Sequence, residues 1–127
     1  MDKSSVYIKM CEGAKVIQKQ WKPEFGDFLV SMSLGLTSPC QTIVSDLEKK
    51  ASYLKTIKAV WIPRQDQLQE MVIENHATAW DLAIAFSNVL MGDNASYFDK
   101  FDSMEKLWLA FIMREKYKKQ WKEREWL

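Results

Sequence analysis

VWIPRQDQLQEMV, Val60 to Val72, is where the pattern of the chain changes. Ala59 to Ile62 are apolar and partly β-branched, and read as a short strand entering Pro63. Beyond the proline, Leu68, Met71 and Val72 recur at helical spacing. Pro63 is expected at the first helical position, where its missing N–H costs nothing. Asp66 then lies in the first turn, where a helix N-terminus favours a carboxylate. Gln65, Gln67 and Gln69 are good helix formers that tolerate solvent. Helix initiation therefore accounts for most of the polar block. Arg64 is left over, to pair with a neighbouring carboxylate or to hold an external one.

Upstream, residues 4–20 read as a helix with Val6, Met10, Ala14, Ile17 and Trp21 on one stripe. Pro23 stops it through its restriction on Lys22. Phe28, Val30 and Met32 then alternate with Leu29, Ser31 and Ser33, a strand pattern. CQTIVSD contains the β-branched run Thr42, Ile43 and Val44 and reads as a second strand, hairpinned to the first. Leu47, Tyr53 or Leu54, and Ile57 suggest a further short helix.

Downstream, the pattern breaks at Asn75 and resumes at Ala77. Trp80, Ala83, Ile84 and Ser87 make one face, and Leu82, Phe86, Val89 and Leu90 the adjoining one. So apolar a helix is expected at the centre of the core, closed by Gly92 in the left-handed conformation. NASYFDKF reads as a loop anchored by Tyr97, Phe98 and Phe101. Asp102 to Glu105 match a D-x-x-E helix start. The final helix carries Met104, Leu107, Trp108, Phe111, Ile112, Tyr117 and Trp121, and is expected to run about five turns before KEREWL frays. The architecture expected is α+β, a single domain over residues 1–127. About four helices hold a small antiparallel sheet, a hairpin plus a short third strand, inserted after the first helix.

With 127 residues, 47% of them apolar and 28% charged, the chain is an ordinary globular one. Six Trp, six Phe and four Tyr supply a bulky core with rings to spare for an interface. Net charge is +1, but unevenly spread. Residues 1–63 carry nine lysines against six acids, residues 64–105 two basic against eight acidic groups, and residues 106–127 seven against three. The last segment is thus a basic, aromatic tail. Cys11 and Cys40 stand too far apart for a zinc motif or a disulfide framework, and are expected as buried thiols in a reducing cytoplasm. No signal-peptide core and no run of about 20 apolar residues is present, so a soluble, cytoplasmic protein without membrane contact is expected.

Catalytic patterns are missing. His76 is the lone histidine and has no marked nucleophile beside it. There is no phosphate-cradling glycine loop. Asp93, Asp99 and Asp102 lack calcium-loop spacing. No metal and no cofactor is expected, and the chain reads as non-enzymatic. The partner-binding candidates are Arg64 and Asp66 at the helix start, and Lys118, Lys119, Trp121, Lys122 and Trp126 in the tail. A protein partner or a second copy of the chain would take Trp121 and Trp126. The alternative is a nucleic-acid-binding module in which the basic residues hold phosphates and the rings stack on bases.

WIPRQDQLQEMV and SMEKLWLAFIMREKYKKQW resemble segments of short uncharacterised proteins encoded in phages and prophages of Gram-positive (Firmicutes) bacteria. The matching residues are Trp61, Pro63, Arg64 to Gln69 and Trp108 to Met113, with Gly26 to Phe28 fitting as well. The resemblance covers most of the chain in order, loosely between residues 33 and 58. It implies a viral or prophage origin and a host-cytoplasm setting, with no activity to carry over.

Overall fold

The structure is a computed structural model that describes residues 1–24, 26–31, 40–41 and 59–127. Along the chain these form α1 (Ser5–Gly13), α2 (Lys15–Gln18), β1 (Phe28–Ser31), β2 (Cys40–Gln41) and β3 (Ala59–Ile62). There follow α3 (Gln65–Ile73), α4 (Ala79–Met91), α5 (Ala95–Phe98), α6 (Met104–Tyr117), β4 (Trp121–Lys122) and β5 (Glu125–Trp126). The α+β class and the small antiparallel sheet among helices are as expected. The described residues hold six helices rather than four. They divide into two compact units: a sheet unit of Lys3–Pro63 and Arg124–Trp126, and a helical unit of Met1–Asp2, Arg64–Glu123 and Leu127.

In the sheet unit the strand order is β2-β1-β3, all antiparallel. β1 and β3 pair Phe28 with Ile62, Leu29 with Trp61 and Val30 with Val60. The third strand thus lies where the apolar run before Pro63 placed it. β2 begins at Cys40 and pairs with Phe28 and Leu29. The rest of the second-strand reading, Thr42 to Val44, and the short helix around Leu47 to Ile57 lie outside the described residues. Gln18 closes the outer edge of β3. Its Oε1 accepts the Trp61 N–H at 2.8 Å and its Nε2 donates to the Trp61 carbonyl at 2.8 Å. One side-chain amide therefore imitates the next strand, meeting the edge's need for partners.

The single helix expected over residues 4–20 is broken in two. Gly13 weakens the helix locally, and Ala14 leaves the helical region with ψ 66°. Gln18 Nε2 then donates at 3.1 Å to the Cys11 carbonyl, which also accepts the Ala14 N–H at 3.2 Å. Met10, Ala14 and Ile17 of the expected stripe are buried. Tyr7, Ile8, Met10 and Cys11 are interior, whereas Val6, assigned to the stripe, is exposed. The Tyr7 hydroxyl donates to the Pro63 carbonyl at 2.7 Å, and the Trp126 indole N–H donates to the Met10 carbonyl at 2.9 Å. Asp27 is buried but satisfied, accepting from the Trp21 indole at 2.8 Å and the Glu24 N–H at 2.9 Å. Gly26, at φ +87°, makes the turn that aims it.

In the helical unit the central element is α6, and not α4 as its apolar sequence led us to expect. Trp108 to Met113 are buried without interruption, and the charges of α6 sit only at its ends, on Glu105, Lys106, Arg114, Glu115 and Lys116. Of the thirteen residues of α4, Leu82 alone is buried. Gly92 has φ −84°, so the left-handed closure expected there is absent. Asn94 to Phe101, read as a loop, contain the single-turn helix α5. The cap of α6 is Ser103, whose Oγ accepts the Lys106 N–H at 3.2 Å. That leaves the Asp102 carboxylate, expected as the cap, to pair with the Lys106 ammonium one turn on. Lys118 takes the left-handed conformation, φ 58°, and ends α6 after Tyr117. The five-turn helix expected does not continue. Glu123 and Arg124 have φ 48° and 81°, values typical of a tight two-residue hairpin turn. Gln120 and Leu127 exchange both main-chain hydrogen bonds, at 2.8 and 2.9 Å.

Candidate functional site

The residues singled out in the sequence fall into three places. Arg64 is the N-cap of α3, so the helix starts two positions later than the proline-led start implied, and Pro63 lies before the helix. The Arg64 N–H donates to Gln67 Oε1 at 2.9 Å, so the glutamine at the third helical position reaches back to the cap. The guanidinium grips Asp66 through Nε at 3.1 Å and Nη2 at 3.4 Å. The polar block after Pro63 is thus turned on itself, and its charges are engaged locally.

Trp121 and Trp126 are each only 8% exposed, so neither ring is offered to solvent as an anchor. Within the helical unit the Trp121 N–H donates to the Tyr97 hydroxyl at 2.8 Å, and its carbonyl accepts from Lys100 Nζ at 3.1 Å. Burial pushes the Tyr97 phenol above its ordinary pKa, against the opposing pull of that N–H and of the Arg114 charge. Lys118, Lys119 and Lys122 are exposed cations. They stand on a cap, a linker and a strand rather than along one helix face, and the rings meant to stack beside them are interior.

A second polar cluster was not anticipated. Asp2, Asp102, Ser103 and Lys106 converge at the start of α6. Lys106 Nζ lies 3.6 Å from Asp2 and contacts Asp102, and Ser103 Oγ donates to Asp2. The Asp2 N–H donates to Glu105 Oε1 at 3.1 Å. Burial lowers the Lys106 pKa, but the hydrogen bond to Asp102 and the charges of Asp2 and Asp102 together outweigh it, and the net shift is upward. The hydrogen bond from Lys106, and then its charge, hold Asp102 below the usual carboxylate range. These contacts tie the Asp2 carboxylate and main chain to the start of α6.

The surface that remains unexplained lies on α4. Phe86 stacks on Trp108 with centroids 3.9 Å apart and meets Phe111 edge-on at 5.2 Å. Leu82, Ala85, Phe86 and Val89 form this inner stripe, at the i, i+3, i+4, i+7 spacing of one helix face. Trp80, Ile84, Ser87 and Met91 fall on the opposite side, at 100° per residue. Trp80 is 73% exposed, Met91 81% and Ile84 44%. Asp81 is the only charged residue of α4, and it lies off this stripe, held by the Thr78 hydroxyl at 3.0 Å. The helix therefore has two apolar faces, of which the inner is partly covered and the outer is exposed. The outer face was legible as a stripe but was assigned to the core, because an uncharged helix looks central. The clue was that its two stripes point in opposite directions.

A groove of about 430 Å³ runs beside the inner stripe, with Val72, Val89 and Phe111 in its wall and His76, Glu115 and Lys116 among its polar residues. His76 and Glu115 make no hydrogen bond to each other. Among the described residues, no group of His, Cys, Asp and Glu has the arrangement to hold a metal ion, and no helix is long and apolar enough to cross a membrane. Cys11 is buried, as expected of it. No protein-family model matches the chain, and neither the curated proteins nor the solved structures contain a significant match.

Proposed function

We propose that this is a non-enzymatic accessory protein, of phage or prophage type, that works in the host cytoplasm by binding protein through the outer face of α4. The observation that carries the reading is the exposure of Trp80, Ile84 and Met91 along one charge-free stripe. Covering a large apolar side chain is worth roughly 1.5–3 kcal/mol. Three such side chains in line make a patch of the kind that marks interaction surfaces. Aromatic and methionine side chains are also the types enriched at the centres of interfaces.

The test is site-specific photo-crosslinking in expressing cells. A photoreactive side chain at Ser87, in the middle of the stripe, is expected to give a discrete protein adduct. The same group at the exposed Lys119 is expected to give none. Absence of any adduct at Ser87, or equal adducts at both positions, contradicts the reading.

A further inference from the structure

We infer that the partner of this face is a second copy of the same chain, docked with the two α4 helices antiparallel about a two-fold axis. The inference rests on the protein-binding reading above and adds the identity of the occupant. A two-fold contact requires a patch that is complementary to itself, because each residue meets its symmetry mate's counterpart. The outer stripe satisfies this. About the midpoint between Ala85 and Phe86, Trp80 stands opposite Met91 and Ile84 opposite Ser87. Each pair sets a large side chain against a flexible or small one. The Trp80 indole would rest on the thioether of Met91 of the partner subunit, a favourable sulfur–aromatic contact. Ile84 would enter the space over Ser87 of the partner subunit. Those two contacts occur twice, and no like charges are brought together along the stripe.

The electrostatics point the same way. A charged partner would be selected by charge, and this stripe has none to offer. A parallel pairing would set Trp80 against Trp80 and align the two helix dipoles unfavourably. The antiparallel pairing separates the two indoles by the length of the stripe and opposes the dipoles. From Trp80 to Met91 the stripe is about 16 Å long. Two copies would cover roughly 1,000 Å² in total, at the lower limit for a specific interface. The dimer is therefore expected to be reversible, with a dissociation constant on the order of 10–100 μM.

Sedimentation velocity of the full chain, from about 5 to about 500 μM, spans that range. The wild-type protein is expected to move from monomer to dimer across the series. Ile84→Arg and Met91→Arg are expected to stay monomeric, with unchanged circular dichroism and melting temperature, and Lys119→Glu is expected to behave as wild type. The register is tested by mixing. Ile84→Lys and Ser87→Glu proteins are each expected to associate at least tenfold more weakly than wild type. An equimolar mixture is expected to recover association, because the ammonium introduced on one copy meets the carboxylate introduced on the other. A wild-type monomer at every concentration overturns the inference, as does a dimer indifferent to Ile84→Arg or a mixture that recovers nothing. If the wild type is monomeric while Ser87 still crosslinks to a different protein in cells, the second-copy inference fails and the protein-binding reading stands. If neither is seen, both fail.

Discussion

The ring of Phe86 lies flat on Trp108, with centroids 3.9 Å apart and planes 4° apart. This stack fixes the rotation of α4 about its own axis. With Phe86 turned toward α6, the 3.6-residue period leaves Trp80, Ile84 and Met91 turned away. The inner contact thus determines what the outer face presents.

The two faces of α4 are expected to differ in what they contribute to folding. Phe86→Ala removes a stacked ring from the half-buried side and should lower stability by about 2–4 kcal/mol. Trp80→Ala, on the same helix, should change it by no more than about 0.5 kcal/mol in dilute solution, because Trp80 is 73% exposed. Urea unfolding of both variants at low micromolar concentration checks the contrast. A large loss for Trp80→Ala would mean that the outer face is packed in the monomer.

Tyr97 holds the end of the chain in the helical unit. Its hydroxyl is the acceptor for the Trp121 N–H at 2.8 Å, so Tyr97→Phe should cost about 1–3 kcal/mol through an unmatched main-chain donor. The raised phenol pKa carries a sign. A folded-state value above the ordinary 10.0 means that the folded protein holds the proton longer than the unfolded chain does. Stability is then lost as pH rises above about 10. Thermal melts between neutral pH and strongly alkaline pH should show a loss for the wild type that is smaller in Tyr97→Phe.

Lys106 is expected to be the most sensitive charge in the helical unit. Lys106→Met leaves the nearly buried Asp2 carboxylate without its nearby cation, 3.6 Å away, and should cost about 1–3 kcal/mol. The pH signs run in opposite directions for the two partners. The folded pKa of Lys106 is raised, so its contribution is full below the ordinary 10.5 and is lost as pH climbs through the folded value. The folded pKa of Asp102 is lowered, so its contribution is present above the ordinary 3.8 and is lost as pH falls through the folded value. Melting temperatures of wild type and Lys106→Met should converge at both extremes and differ most between them.

The Arg64–Asp66 pair is expected to be energetically minor. Asp66 is well exposed and Arg64 about one-third exposed, and exposed pairs contribute about 0–1 kcal/mol. Arg64→Ala and Asp66→Ala should each fall within that range and leave the oligomeric state unchanged. A loss of association in either variant would restore the polar block after Pro63 as a working site.

The legible parts of the fold are those set by local chemistry. The Ala59–Ile62 strand, the helix after Pro63 and the alternating Phe28–Ser31 segment all appear where their side-chain pattern placed them. Caps were harder, because neighbouring candidates compete. Ser103 takes the α6 cap once Asp102 has a better use as the partner of Lys106. The break at Ala14 depends on the Gln18 amide reaching both Cys11 and Trp61, a tertiary relation that no helical period contains. The order of burial was the least legible. α4 has a single charge and α6 has five, yet α6 is central. Terminal charges leave its middle wholly apolar, whereas an uncharged face on α4 can equally be core or interface. The same ambiguity hid the candidate site. Trp121 and Trp126, which stood out beside the basic residues of the tail, are buried, and Trp80, which its stripe assigned to the core, is at the surface.

The most direct measurement is fluorine NMR of the protein labelled with 5-fluorotryptophan. Its six indoles give separate signals, and the Trp80 signal is assigned by its loss in Trp80→Phe. Trp80 is expected to show the largest solvent-isotope shift in dilute solution. As concentration rises, its signal is expected to move and lose that sensitivity while those of Trp108, Trp121 and Trp126 stay in place. A Trp80 signal that is shielded from solvent at every concentration, or exposed and unmoved at every concentration, would contradict the assignment of the outer α4 face as the surface where a second copy binds.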